Sequence, residues 1–211
     1  MRQLFWAKLV LFCGVGLALE LPAPRPASAS VITRLSLAEL AGRADRALVG
    51  TVEDVHSLAL GDGGYIVTDV RIRCTRELLG VPVGSVFTVR HLGGEVGELG
   101  QKVFGEASYR VGEEVLVLAE ERSAAFYAVG MAQGALHIER EATTGERRVR
   151  VELAGAELQG PATSEAATSG TNVETVIGQL QSLLAAKQAA RRGAAPTAPT
   201  GTLVPASKGG K

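Results

Sequence analysis

The sequence predicts a mainly β protein, an antiparallel barrel or sandwich, with a short helix before it and an amphipathic helix after it. Three observations predict this. About seven short β-rich runs lie between residues 47 and 153, separated by dense glycine turns. A capping box opens an apolar helical repeat just ahead of them, at Ser36-Leu37-Ala38-Glu39. A second helical repeat follows them, at Val173, Val176, Ile177, Leu180, Leu183 and Leu184.

The chain opens on an address. Arg2 and Lys8 precede an apolar run, Leu9 to Leu19, ended by Glu20; three prolines and the small triplet Ala27-Ser28-Ala29 come next. This order is that of a secretory signal cleaved after Ala29, so residues 1–29 are a signal peptide and the mature protein is periplasmic or secreted. The run is too short to cross a bilayer, which takes roughly 20 apolar residues, so no transmembrane anchor is expected after cleavage. Cys13 leaves with the leader, and Cys74 then has no partner for an internal disulfide. A hydrophobic core must therefore hold the exported domain together.

The barrel domain is expected over residues 30–153. Ser36 and Glu39 cap a helix reaching about Arg46, with Leu37, Leu40, Ala41 and Ala44 on one face. Ala47 to Ser57 is β-rich, and the inward face switches at Glu53-Asp54, which predicts a bulge. Gly61-Asp62-Gly63-Gly64 is a hairpin signal leading into Tyr65–Cys74, with Ile66, Val70, Ile72 and Cys74 inward. Val86–His91 is the next strand. Residues 93–108 are glycine-dense and read as a long loop. Val115-Leu116-Val117-Leu118 is a continuous apolar run, the mark of a strand buried on both faces. Phe126–Val129, Leu136–Arg140 and Arg148–Leu153 complete the set. Residues 154–171 have linker composition. The helix is expected over 172–190, opened by a second capping box at Thr171-Asn172-Val173-Glu174 and packed back on the strands. Residues 191–211, rich in Ala, Pro, Thr and Gly, read as a disordered tail.

Charge excludes one function class. The 211 residues carry 22 Lys+Arg against 22 Asp+Glu, and a neutral chain lacks the basic footprint of nucleic-acid binding. The only Trp is in the leader, so no aromatic platform of the sugar-binding or single-strand-binding kind is expected either. Chemistry is hard to find. His56, His91 and His137 lie far apart, without the tight local spacing of a zinc site, and His137, alternating with Leu136 and Ile138, is expected to point outward. There is no Gly-x-Ser-x-Gly elbow. Gly93-Gly94-x-x-Gly97-x-x-Gly100 lacks the Gly-Lys-Ser/Thr ending of a phosphate loop.

Four stretches carry a resemblance. Ala44-Asp45-Arg46-Ala47-Leu48-Val49-Gly50-Thr51-Val52, Arg76-Glu77-Leu78-Leu79-Gly80, Thr88–Gly94 and Tyr109–Leu118 together resemble a group of uncharacterised exported bacterial proteins, over about residues 36 to 140. The helix-flanked strand at Ala44-Asp45 is also distantly similar to netrin-like modules, which include the tissue inhibitors of metalloproteinases. That similarity implies an OB-like barrel. Those inhibitors chelate zinc through an N-terminal cysteine; here the expected mature start is Ser30-Val31, so the mechanism does not transfer.

The expectation is a non-catalytic exported module that binds another exported protein or an envelope component, with no cofactor. Its candidate binding loop is 93–108, through Gly93, Gly94, Glu95, Gly97, Gly100 and Phe104, because long loops on compact scaffolds carry function. The alternative is a metal-dependent or hydrolytic enzyme assembled only in space, with His56, His91 and Asp69 as candidates. A structural accessory without a discrete site is the third reading.

Overall fold

The computed structural model describes residues 30–61, 64–160 and 169–193. The expected leader, most of the expected tail and the middle of the linker lie outside the described residues, as do Asp62 and Gly63 of the expected hairpin turn. The elements are β1 (Val31–Thr33), α1 (Leu37–Arg43), β2 (Arg46–Leu60), β3 (Tyr65–Leu79), β4 (Val86–Leu92), β5 (Gly94–Val96) and β6 (Leu99–Gln101). Then come β7 (Glu114–Arg122), β8 (Ala125–Ala128), a 3-10 turn (Met131–Gly134), β9 (Ala135–Arg140), β10 (Arg147–Val151), β11 (Glu157–Gln159) and α2 (Val173–Gly193).

The fold is mainly β, with the C-terminal helix in place. Its centre is a seven-stranded sheet in the order β10-β9-β7-β2-β3-β4-β8. This corrects the expectation of an antiparallel OB-like barrel, because the sheet is mixed. β8 is antiparallel to β7 but parallel to β4, which it meets at the single pair Arg90 with Tyr127. β9 and β10 continue the sheet beyond β7, so it curls without becoming a clear barrel.

Strands β2 and β3 form the long hairpin, paired from Leu60 with Tyr65 to Ala47 with Leu79. Its register shifts between Val52 and Asp54, where the inward face was expected to switch. The curl gives the sheet two apolar faces. Inside lie Leu48, Val52, Val70, Ile72, Val115 and Val117. Outside, Val49, Leu116, Leu118 and Leu136 meet both helices. The Val115–Leu118 run is thus buried on both faces, as its unbroken apolar character predicts.

α1 opens on the expected capping box: the Glu39 amide donates to Ser36 Oγ at 3.2 Å, and the Ser36 amide donates to Glu39 Oε2 at 2.7 Å. It stops at Arg43, short of Arg46, because Ala44 turns to extended backbone and the chain enters β2. α2 buries Val173, Val176, Ile177, Leu180 and Leu184 in the outer core. Each such side chain contributes roughly 1.5–3 kcal/mol of gross burial energy, more than enough to seat the helix. Lys187 Nζ then donates to the carbonyls of Ala41 (3.2 Å) and Ala44 (2.5 Å), satisfying the end of α1 from another element.

The cap of α2 differs from the expected box. Asn172 Oδ1 accepts from the Glu174 amide at 2.9 Å, and the Glu174 carboxylate turns away to Arg76 (2.6 Å) and Arg147 (3.3 Å). Two further expectations change. The 93–108 segment contains the β5–β6 hairpin, and the expected linker contains β11, which pairs in parallel with β1.

Candidate functional site

The site is built where β4 ends. After His91-Leu92 the chain turns through Gly93 and Gly94, runs out and back as β5 and β6, and crosses the inner core at Ala107 and Tyr109 before entering β7. The hairpin is fastened to the sheet. The Gly93 amide donates to the Ile66 carbonyl at 2.8 Å, and the Ile66 amide donates to Gln101 Oε1 at 2.8 Å. Thr68 Oγ1 donates to the Gly93 carbonyl at 2.7 Å and lies 2.9 Å from Ser57 Oγ. Gly94 sits on that hydroxyl pair with φ +131°, and a Cβ there would collide with Thr68 Oγ1 and Ser57 Oγ. Only glycine lets the backbone pass so close.

Between this hairpin and residues 106–108 lies a cleft of about 400 Å³. Its walls include His91, Gly94, Glu95, Gly100, Glu106 and Ser108. Leu99 and Phe104, 68% and 48% exposed, stand out from the same segment. Of the expected binding residues, Gly94, Glu95 and Gly100 line the cleft, Gly93 ties the turn to the sheet, and Gly97 and Phe104 are exposed and not among the lining residues.

A seam of aromatic rings runs inward from this wall. His91 and Tyr109 have ring centroids 5.9 Å apart, and Tyr109 and His137 6.1 Å. Burial pushes the His91 imidazole below its ordinary value, partly offset by its bond to the Leu92 carbonyl. Burial pushes the Glu106 carboxyl up, with Arg122 working against it. The Tyr109 hydroxyl is buried without a partner, and burial together with the charges of Glu106 and Glu113 raises it.

His137 corrects the outward expectation. It is 2% exposed, and its Nδ1 lies 3.2 Å from Glu113 Oε2. Strand β9 is covered on both sides: Leu136 faces the helices, while His137, opposite Val115, faces the inner core. Pointing away from one core here means pointing into another.

The enzyme candidates do not converge. His56 and Asp69 are cross-strand partners, but Asp69 is held bidentately by Arg90, at 2.6 and 2.7 Å. His91 pairs with Thr68, the neighbour of Asp69, and therefore projects from the opposite face of the sheet. Ser108 does have a carboxylate partner, donating to Glu152 Oε2 at 2.5 Å. Burial favours protonating Glu152, yet the bonds from Ser108 and Arg150 outweigh it and hold the carboxyl down at about 2. So weak a base does not draw a proton from a serine hydroxyl at neutral pH. Among the described residues, no group of three or more His, Cys, Asp or Glu side chains is arranged to hold a metal ion.

Sequence reasoning missed Glu106 and Tyr109 as members of the site. Neither carries a local motif, and each reaches the cleft region only because 102–113 folds over the inner core. No family model, no curated protein and no solved structure matches this chain.

Proposed function

We propose that the protein is a non-catalytic, exported binding module that recognises another exported protein or an envelope component through residues 93–108. One observation carries the reading: the segment is fixed to the sheet by hydrogen bonds on both sides of Gly93, borders a cleft, and yet leaves Leu99 and Phe104 in solvent. A segment fixed in this way loses little conformational entropy on binding, so its exposed apolar side chains add to affinity without a large ordering cost. Export is supported by the leader-like residues 1–29.

The test uses tagged protein secreted by a bacterial host, its mature N-terminus read by sequencing and expected at Ser30. Chemical cross-linking followed by quantitative proteomics compares the unaltered chain with Leu99→Asp/Phe104→Asp. Val83→Asp is the control, placed in the turn between β3 and β4, away from the cleft, and also exposed (64%). The double variant should lose about 10-fold or more of its partner enrichment, as expected when aromatic and aliphatic anchors are removed. Identical partners for all three proteins would refute the assignment.

A further inference from the structure

We infer that the cleft between the β1–β11 pair, α1 and the end of β10 binds a small monocarboxylate, its anionic head on Arg34 and its apolar body against the cleft walls. Among the described residues this cleft shares no lining residue with the one beside the hairpin, so the inference stands apart from the docking reading.

The cleft measures about 530 Å³, within the range of small-molecule sites. Leu35, Leu40, Val151, Leu153 and Leu158 give it apolar walls. Its described polar lining is Arg34, Gln133, Glu157 and Ser169, of which Gln133 and Ser169 are engaged within the protein. Gln133 Oε1 accepts from the Leu35 amide at 2.8 Å, and its Nε2 donates to the Thr33 carbonyl at 2.9 Å. These bonds fall on either side of Arg34, whose own amide donates to the Gln159 carbonyl at 2.8 Å. The backbone that presents the guanidinium is thus fixed before any ligand arrives, which lowers the entropic cost of binding.

Arg34 carries the argument. It is half-buried, and its side chain makes no hydrogen bond, ion pair or ring contact among the described residues. Nε is buried without a partner, whereas the two Nη groups, equally unpartnered, are not shut off from solvent. The other half-buried arginines among the described residues are all compensated. Arg46 donates to the Asp45 carbonyl, Arg76 pairs with Glu174, Arg90 with Asp69, Arg147 with Glu114 and Arg150 with Glu139. A guanidinium partly withdrawn from water without an anion keeps its pairing capacity unspent, and its two Nη groups offer parallel donors that match a carboxylate. Glu157 is exposed and forms no ion pair with Arg34. Its charge at the same cleft weighs against a doubly charged head such as a phosphomonoester and favours a single charge. The apolar walls, in turn, favour a hydrocarbon body over a bare anion.

The test is an NMR titration of the secreted protein, at mildly alkaline pH, with octanoate and with 1-octanol as its uncharged counterpart. The Arg34 Nε–H signal and the amide signals of Leu35 and Leu158 report on the cleft. Octanoate should shift all three and bind about 10-fold more tightly than octanol, the usual size of a charge-assisted bond. In Arg34→Gln, whose amide spectrum verifies the fold, the two should bind alike. Equal binding to the unaltered chain, an octanoate preference that survives Arg34→Gln, or unmoved cleft signals would each overturn the inference. So would tighter binding of octyl phosphate, which would reject the singly charged head. Tighter octanoate binding by Glu165→Gln would overturn it as well, by making the chain's own carboxylate the partner of Arg34.

Discussion

Replacing Gly94 by alanine tests whether the 93–108 segment is a fixed platform. The added Cβ would meet Thr68 Oγ1 and Ser57 Oγ, with Ser57 Cβ a further 3.1 Å contact, at a backbone φ of +131°. Neither hydroxyl can swing aside freely, since Thr68 Oγ1 bonds the Gly93 carbonyl at 2.7 Å and Ser57 Oγ at 2.9 Å. Giving up those bonds costs about 1 kcal/mol each. Residual overpacking and the positive φ add about 1–3 kcal/mol. The variant should lose about 3 kcal/mol of stability. Gly97→Ala is the internal comparison, because φ there is +60° and a Cβ meets nothing within 4 Å. Its left-handed penalty of about 1 kcal/mol is partly cancelled by the stiffer unfolded chain. Urea unfolding followed by circular dichroism separates the two. With a slope of about 2 kcal/mol per M, Gly94→Ala should lower the midpoint by about 1.5 M and Gly97→Ala by less than 0.5 M. Equal midpoints would show that the hairpin is not seated on Ser57 and Thr68, and the platform argument would fall with it.

Leu180 is fully buried between α2 and the outer face of the sheet. Leu180→Ala should cost about 3 kcal/mol and lower the thermal midpoint by roughly 6–12 °C; a shift below 2 °C would mean that α2 is not part of the cooperative core. Glu152 governs acid behaviour. Its folded carboxyl, at about 2, lies below the ordinary 4.5, so its stabilisation is complete above the ordinary value and is lost as pH falls toward 2. Roughly 2 kcal/mol should disappear over that window. Glu152→Gln should flatten this part of the pH–stability curve, and an unchanged slope would place the acid-labile group elsewhere.

How much of this was legible in sequence depends on how local each determinant is. The Ser36–Glu39 box, the bulge near Glu53-Asp54 and the doubly buried Val115–Leu118 run are written within a few consecutive residues, and all three are present. The pairing of β1 with β11 joins two three-residue strands far apart in sequence, and neither has a hydrophobic period long enough to read. The 93–108 hairpin hid behind its glycines. Glycine density marks backbone freedom, but whether that freedom serves a loose loop or a tight approach depends on Ser57 and Thr68, distant in sequence and adjacent in space. His137 failed for a geometric reason: alternation assigns faces only if one face is wet, and the curled sheet leaves β9 with two dry ones.

The same curled sheet holds buried polar atoms without partners on the seam behind the cleft. Buried side-chain atoms ordinarily find partners, and the few that do not call for a reason. Among the described residues, three such atoms lack one, and two of them, Tyr109 Oη and His137 Nε2, lie on the seam that runs inward from His91. A core assembled for stability alone would place leucine or phenylalanine at these positions, as the opposite face does with Leu116, Leu118 and Leu136. Local departures from the rules of a well-packed interior tend to coincide with function, because a site must keep unspent hydrogen-bonding and charge capacity for its partner. The outer core, where the helices dock, is built of aliphatic side chains. The inner core takes in Thr68 beside the hairpin and His137 on the seam. The two faces of the sheet thus differ in character, with aliphatic packing against the helices on one and unpartnered polar atoms along the Tyr109–His137 seam on the other.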